Sequence, residues 1–156
     1  MIINHKIGPF NKTIRVDPDK SLSIRSFLIG SICQGKSIAR NILESEDVKS
    51  TILACRKLGV KIEKMKPKNY KIYGKGLGSF TIKKNSELNF GNSGTLARLL
   101  IGILATTSGV KVKISGDHSL NKRSMKSLIN LMTKFGASFL PKNKFNLPLK
   151  LISSEM

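Results

Sequence analysis

The chain repeats itself, and that repeat limits what it can fold into more than any other feature. Arg25-Ser26-Phe27-Leu28-Ile29-Gly30 answers Arg98-Leu99-Leu100-Ile101-Gly102. Lys49-Ser50-Thr51-Ile52, running on to Lys57-Leu58-Gly59-Val60, answers Lys126-Ser127-Leu128-Ile129, running on to Lys134-Phe135-Gly136-Ala137. The period, about 75 residues, is too long for a solenoid repeat. Each unit reads as loop, helix, strand, helix, strand. The pattern implies a pseudo-symmetric domain of α/β units whose buried helices share one core.

Hydrophobic periodicity places the elements. Leu22, Ile24, Phe27, Leu28, Ile29 and Ile32 make a helix of Ser21 to Gln34, closed by Gly35. Ser45 caps a second helix, which carries Glu46 and Asp47 in its first turn, where negative charge suits the dipole, and ends at Gly59. A third runs from the loop at Gly91 to about Thr107, and a fourth from about Lys122 to Phe135. Strands are expected at Ile2–Lys6, Thr13–Val16, Ser37–Ile42, Val60–Met65, Tyr70–Tyr73, Ser79–Lys83, Glu87–Phe90, Val110–Ile114, Ala137–Leu140 and Leu147–Ile152. Gly74-Lys75-Gly76-Leu77-Gly78 looks like a phosphate loop, but no Gly-Lys-Ser/Thr ends it and no helix follows. It reads as a strand-to-strand turn.

The 156 residues suffice for one ordinary domain. Cys33 and Cys55 fall in apolar helical patterns and read as reduced core residues, and no His/Cys cluster has zinc spacing. The start, Met1-Ile2-Ile3-Asn4-His5-Lys6, lacks the features of a secretory signal, and no apolar run is long enough to span a bilayer. A cytoplasmic protein without membrane contact is expected. The formal net charge of +19 is compatible with nucleic acid, but the lysines are scattered and not interleaved with aromatics. A small, highly anionic substrate explains such a field equally well.

Two stretches carry that chemistry. In Gly91-Asn92-Ser93-Gly94-Thr95-Leu96-Ala97-Arg98, small and polar residues lead straight into an apolar run. Asn92, Ser93 and Thr95 can each cap the helix, whose free N–H groups then meet whatever sits before the loop. In Lys20-Ser21-Leu22-Ser23-Ile24-Arg25, a point charge, a hydroxyl and a guanidinium cluster at a helix start. Two helix starts of this kind can meet at one anion.

Asp19-Lys20-Ser21-Leu22-Ser23-Ile24-Arg25, the Gly91–Arg98 octapeptide, and Gly116-Asp117-His118-Ser119-Leu120-Asn121-Lys122-Arg123-Ser124-Met125-Lys126 resemble, in order and spacing, three successive signatures of the EPSP synthases (3-phosphoshikimate 1-carboxyvinyltransferases). The resemblance covers nearly the whole chain. Ile24, Asp19 after Pro18, and Ser124 depart from the family's usual residues, but none removes a charged contact. The resemblance implies an α/β (α+β) fold of pseudo-symmetric repeated units, the inside-out barrel type of the enolpyruvyl transferases. It is incomplete, with about two of the three units of one lobe. Residues 1–18 would join the other lobe, and 19–156 would form the partial lobe, unit one about 19–88 and unit two about 89–156.

The same resemblance implies transfer of enolpyruvyl from phosphoenolpyruvate to the 5-hydroxyl of shikimate 3-phosphate. Lys20, Ser21 and Arg25 would hold shikimate 3-phosphate, and Lys20, Asn92, Gly94 and Arg123 phosphoenolpyruvate. Arg98, one turn into its helix, can add a forked, permanent charge but is the weaker candidate, since packing or a salt bridge also accounts for it. The family's acid–base groups belong to a second lobe, so no residue of this chain is expected to be catalytic, and neither metal nor cofactor is expected. The chain alone should not turn over, and a C-terminal lobe or complementing chain would be its partner. Two other readings stand beside this one. The sister enzyme acting on UDP-N-acetylglucosamine typically has Lys-Asn where this chain has Lys20-Ser21. A basic nucleic-acid-binding module would have reused the fold.

Overall fold

The computed structural model describes residues 16–83 and 86–155, with Gly8, Pro9, Asn11, Thr13 and Ile14 ahead of them. Asp19 starts the first helix, α1 (Lys20–Ile32), by accepting a hydrogen bond from the Leu22 N–H at 2.7 Å. A cap of this kind contributes about 1 kcal/mol. Ile24, Phe27 and Leu28 are buried, whereas Leu22 and Ile29 are exposed. The helix ends earlier than its apolar pattern predicts. Cys33 is extended and exposed, a correction to its expected place in the core, and Gly35, at φ +83°, already lies in strand β1 (Gln34–Ala39).

Helix α2 (Glu46–Lys57) follows, with Glu46 and Asp47 in its first turn and Arg56 and Lys57 in its last, both suited to the dipole. Ser45 stands at the cap position but makes no capping bond. Strands β2 (Lys61–Lys66) and β3 (Asn69–Lys75) complete an antiparallel sheet in the order β1-β3-β2. Gly74 and Lys75 still belong to β3, and the turn at 76–78 is followed by no strand directly, so the strand-to-strand turn expected at Gly74–Gly78 is met only in part.

The second sheet holds β4 (Glu87–Asn89), β5 (Lys111–Ser115), β6 (Ser138–Leu140) and β7 (Leu149–Ile152), in the order β4-β5-β7-β6. Only β4 and β5 pair in parallel among these strands. Helix α3 (Gly94–Ala105) joins β4 to β5, and α4 (His118–Asn121) and α5 (Lys126–Lys134) join β5 to β6. The repeat is visible in the topology: β5-β7-β6 reproduces β1-β3-β2, the third strand of each trio inserted between the other two. Strand β4 straddles the 88/89 division expected between the units and belongs with the second sheet.

Helix α1 packs on α2 and on α3, and α3 packs on α5. Residues of both units, from Ile24 and Ile72 to Leu100 and Leu151, form one buried cluster. Each such side chain removed from water contributes about 1.5–3 kcal/mol, which is how two units become one body.

Three expectations need correction. The helix expected over Lys122–Phe135 is broken at 122–125, because polar groups there bond across the chain: the Met125 N–H to the Phe145 carbonyl at 2.7 Å, the Lys122 carbonyl to the Asn146 amide at 3.2 Å. Residues 79–83 form no strand; Phe80 is buried as an anchor, and Thr81 donates one bond to the Leu58 carbonyl instead of entering a ladder. Thr13, Ile14 and Val16 carry no strand pairing, and the strand expected at 2–6 lies outside the described residues.

Candidate functional site

Three helix starts converge on one small pocket of about 220 Å³, lined by Lys20, Asp47, Asn92, Gly94, Thr95, Arg98 and Arg123. Lys20 is the first residue of α1, Asp47 lies in the first turn of α2, and Gly94 opens α3. The lining is almost wholly polar, with three cations against one carboxylate. Helix N-termini add partial positive charge.

The local chain geometry follows from a few hydrogen bonds. Gly91 adopts φ +57°, its N–H donates to Asn89 Oδ1 at 2.8 Å, and its carbonyl accepts from the Asp117 N–H at 2.8 Å. That last bond ties the loop before α3 to the loop before α4. Of the three possible caps for α3, Ser93 takes the role: it is buried, and its Oγ accepts from the Leu96 N–H at 3.3 Å. Asn92 and Thr95 are thereby left to line the pocket.

Arg123 is held by a similar scaffold. Asp117 caps α4 through the Leu120 N–H at 2.8 Å, and the Asn121 side chain bonds both the N–H and the carbonyl of Gly116. Leu120 is fully buried beneath Gly116, so α4 is anchored although it is only one turn long. The Arg123 N–H donates to the Leu120 carbonyl at 3.0 Å, and its guanidinium lies 3.4 Å from Ser119 Oγ. Across the pocket, Lys20 Nζ stands 3.0 Å from Asp47 Oδ2.

Four of the six residues expected at the site, Lys20, Asn92, Gly94 and Arg123, therefore come together. Ser21, although next to Lys20, is not among the lining residues. Arg25 is exposed and borders a separate groove with Leu22, Ser26, Ile29, Cys33 and Ile38. Asp47 and Thr95 are additions, and Arg98, the weaker candidate, lines the pocket as well. Arg98 had a readable signal: residues 94, 95 and 98 share one face of a helix by their spacing. His118 is exposed at the start of α4, and His5 lies outside the described residues.

A lobe of repeated helix-and-sheet units, with a cation-lined pocket where helix starts meet, is the class of fold these observations define. Comparison with known proteins makes it specific. The EPSP synthase (3-phosphoshikimate 1-carboxyvinyltransferase) family model matches residues 4–155. The chain is 38% identical over 142 residues to the 3-phosphoshikimate 1-carboxyvinyltransferase of Leptospira interrogans, covering 90% of this chain and 32% of the relative. It is 43% identical over 138 residues to that of Ruthia magnifica, covering 88% and 31%. The EPSP synthase structure from Acinetobacter baumannii superposes with a TM-score of 0.81 at 33% identity, over 90% of this chain and 31% of that one. The chain belongs to the EPSP synthase family, a family of transferases, and spans about a third of the length of the relatives it matches.

Proposed function

We propose that this chain is the N-terminal part of a 3-phosphoshikimate 1-carboxyvinyltransferase and supplies one wall of its substrate site. The whole enzyme would move the enolpyruvyl group of phosphoenolpyruvate onto the 5-hydroxyl of shikimate 3-phosphate, releasing phosphate. Lys20, Asn92, Gly94 and Arg123 would hold phosphoenolpyruvate, and Lys20, Ser21 and Arg25 shikimate 3-phosphate. Residues 19–88 and 89–156 would act as two units of one lobe, in the cytoplasm.

The observation that supports this most is the convergence of Lys20, Asn92, Gly94 and Arg123, far apart in sequence, on one pocket with an excess of positive charge. Two polyanions must be brought together against their repulsion. Fixed cations and helix starts reduce that cost and hold the reactants for an otherwise bimolecular addition. Among the described residues that line the pocket, Asp47 is the one carboxylate, and it is engaged by Lys20. Turnover would draw on groups from the remainder of the enzyme.

The test is reconstitution. The chain is mixed with a polypeptide supplying the other two-thirds of a relative such as the Acinetobacter baumannii enzyme, and phosphate release from both substrates is followed. Neither part alone should release phosphate, and the mixture should. No release from a mixture shown to associate would contradict the reading.

A further inference from the structure

A carboxylate is an odd component of a pocket for polyanions. Asp47 is nonetheless there, its side chain only 12% exposed, on the first turn of α2 and in contact with Lys20 on the first turn of α1. Simple electrostatics makes it a liability, because it repels any phosphate that Lys20 attracts. A second consideration opposes that one. A lysine is a compact charge on a flexible four-carbon stem, and ordering such a side chain costs rotamer entropy. The Lys20 side chain is 51% exposed, so packing alone does not fix it. The 3.0 Å contact to a nearly buried carboxylate does.

We infer that Asp47 is a positioning residue: it holds the Lys20 ammonium at the pocket wall in advance of the anion. The inference rests on the reading of the pocket as an anion site. Asp47 has one formal charge, and Lys20, Arg98 and Arg123 have three, so the pocket stays net positive with the carboxylate in place. The arrangement exchanges a little attraction for order, so that binding no longer has to immobilise the lysine.

The experiment is a double-mutant cycle on the full chain, with phosphoenolpyruvate as the titrant and thermal unfolding measured in parallel. Asp47→Asn keeps the shape and removes the charge. Positioning predicts affinity about tenfold weaker for Asp47→Asn and no further loss when it is added to Lys20→Met. Unchanged or tighter binding by Asp47→Asn overturns the inference alone, because the carboxylate would then be neutral or merely repulsive. No binding by the wild-type chain removes the anion-site reading and the inference with it. Should Asp47→Asn fail to fold, nuclear magnetic resonance of the lysine ammonium groups in the wild-type chain reads the same contact. Lys20 is expected to be restricted, and a Lys20 as mobile as the exposed Lys122 overturns the inference.

Discussion

Gly94 and Arg123 share a tight boundary: a Cβ on residue 94 would stand 3.1 Å from Nη1 of Arg123. The space above the first residue of α3 is thus held open for a guanidinium. Gly94 has no left-handed backbone, so alanine fits its conformation and should gain about 0.4–1 kcal/mol through the unfolded chain. The Arg123 tip is the flexible end of a side chain and can yield a few tenths of an ångström. Gly94→Ala is therefore expected to leave the melting temperature equal or higher while weakening phosphoenolpyruvate binding. Calorimetry and thermal unfolding on one sample check both halves.

Arg98 provides a sharper test of what the pocket is for. It is exposed, lines the pocket one turn after Thr95, and is in no ion pair among the described residues. Removing an exposed arginine from a helix surface changes stability by about 0.5 kcal/mol at most. Removing a charged hydrogen-bond donor to an anion costs about 1.5–3 kcal/mol of binding. Arg98→Ala should therefore bind phosphoenolpyruvate at least tenfold more weakly with unchanged unfolding. A packing role predicts the reverse pattern.

The two cysteines should part company in a thiol-reactivity assay. Burial pushes the Cys55 thiol up to about 11, whereas Cys33 is exposed at the end of α1. A disulfide-exchange reagent at neutral pH should modify Cys33 quickly and Cys55 only after denaturant is added. Equal rates in the native chain would place Cys55 outside the core.

Acid should weaken the fold through three surface carboxylates. Glu87 is held below the usual carboxylate range by hydrogen bonds from Ser115 and Lys113, Glu44 by Lys64 and Tyr70, and Glu63 by Lys61 and Tyr73. A lowered folded-state value means that the contribution is fully present above the ordinary value of 4.5 and is lost as pH falls through the lower one. Urea-unfolding midpoints should be level from neutrality to about pH 5 and fall below that. Glu87→Gln should flatten part of the decline.

Much of this fold is written locally. The repeat of Arg25–Gly30 in Arg98–Gly102 announces two equivalent helices, and the strand order β1-β3-β2 repeated as β5-β7-β6 shows that equivalence in space. Asp117 and Ser93 act as caps where short polar residues precede apolar runs. What local pattern could not show was decided by distant partners. Phe145 and Asn146 break the helix before Lys126 from more than a helix length away in sequence. Cys33 belongs to an apolar pattern but is exposed, because α1 gives way to β1 at that residue. At the site, Asn92 and Gly94 were named as site residues through the resemblance, while the loop before α3 was legible because loop and helix start coincide. Asp47 was not, since its first-turn position accounts for an acidic residue without any mention of Lys20. Arg25, about one turn beyond Lys20 in sequence, borders a separate groove, a separation that spacing along the helix does not show.

Under the proposed function, Lys20 and Arg123, from different units, would grip the same anion. The most direct measurement is calorimetric titration of the full chain with phosphoenolpyruvate, repeated for Lys20→Ala and Arg123→Ala. Saturable binding by the wild-type chain, weakened at least tenfold by either substitution with unfolding unchanged, is the predicted result. Wild-type binding that survives both substitutions would place the anion elsewhere and contradict the claim.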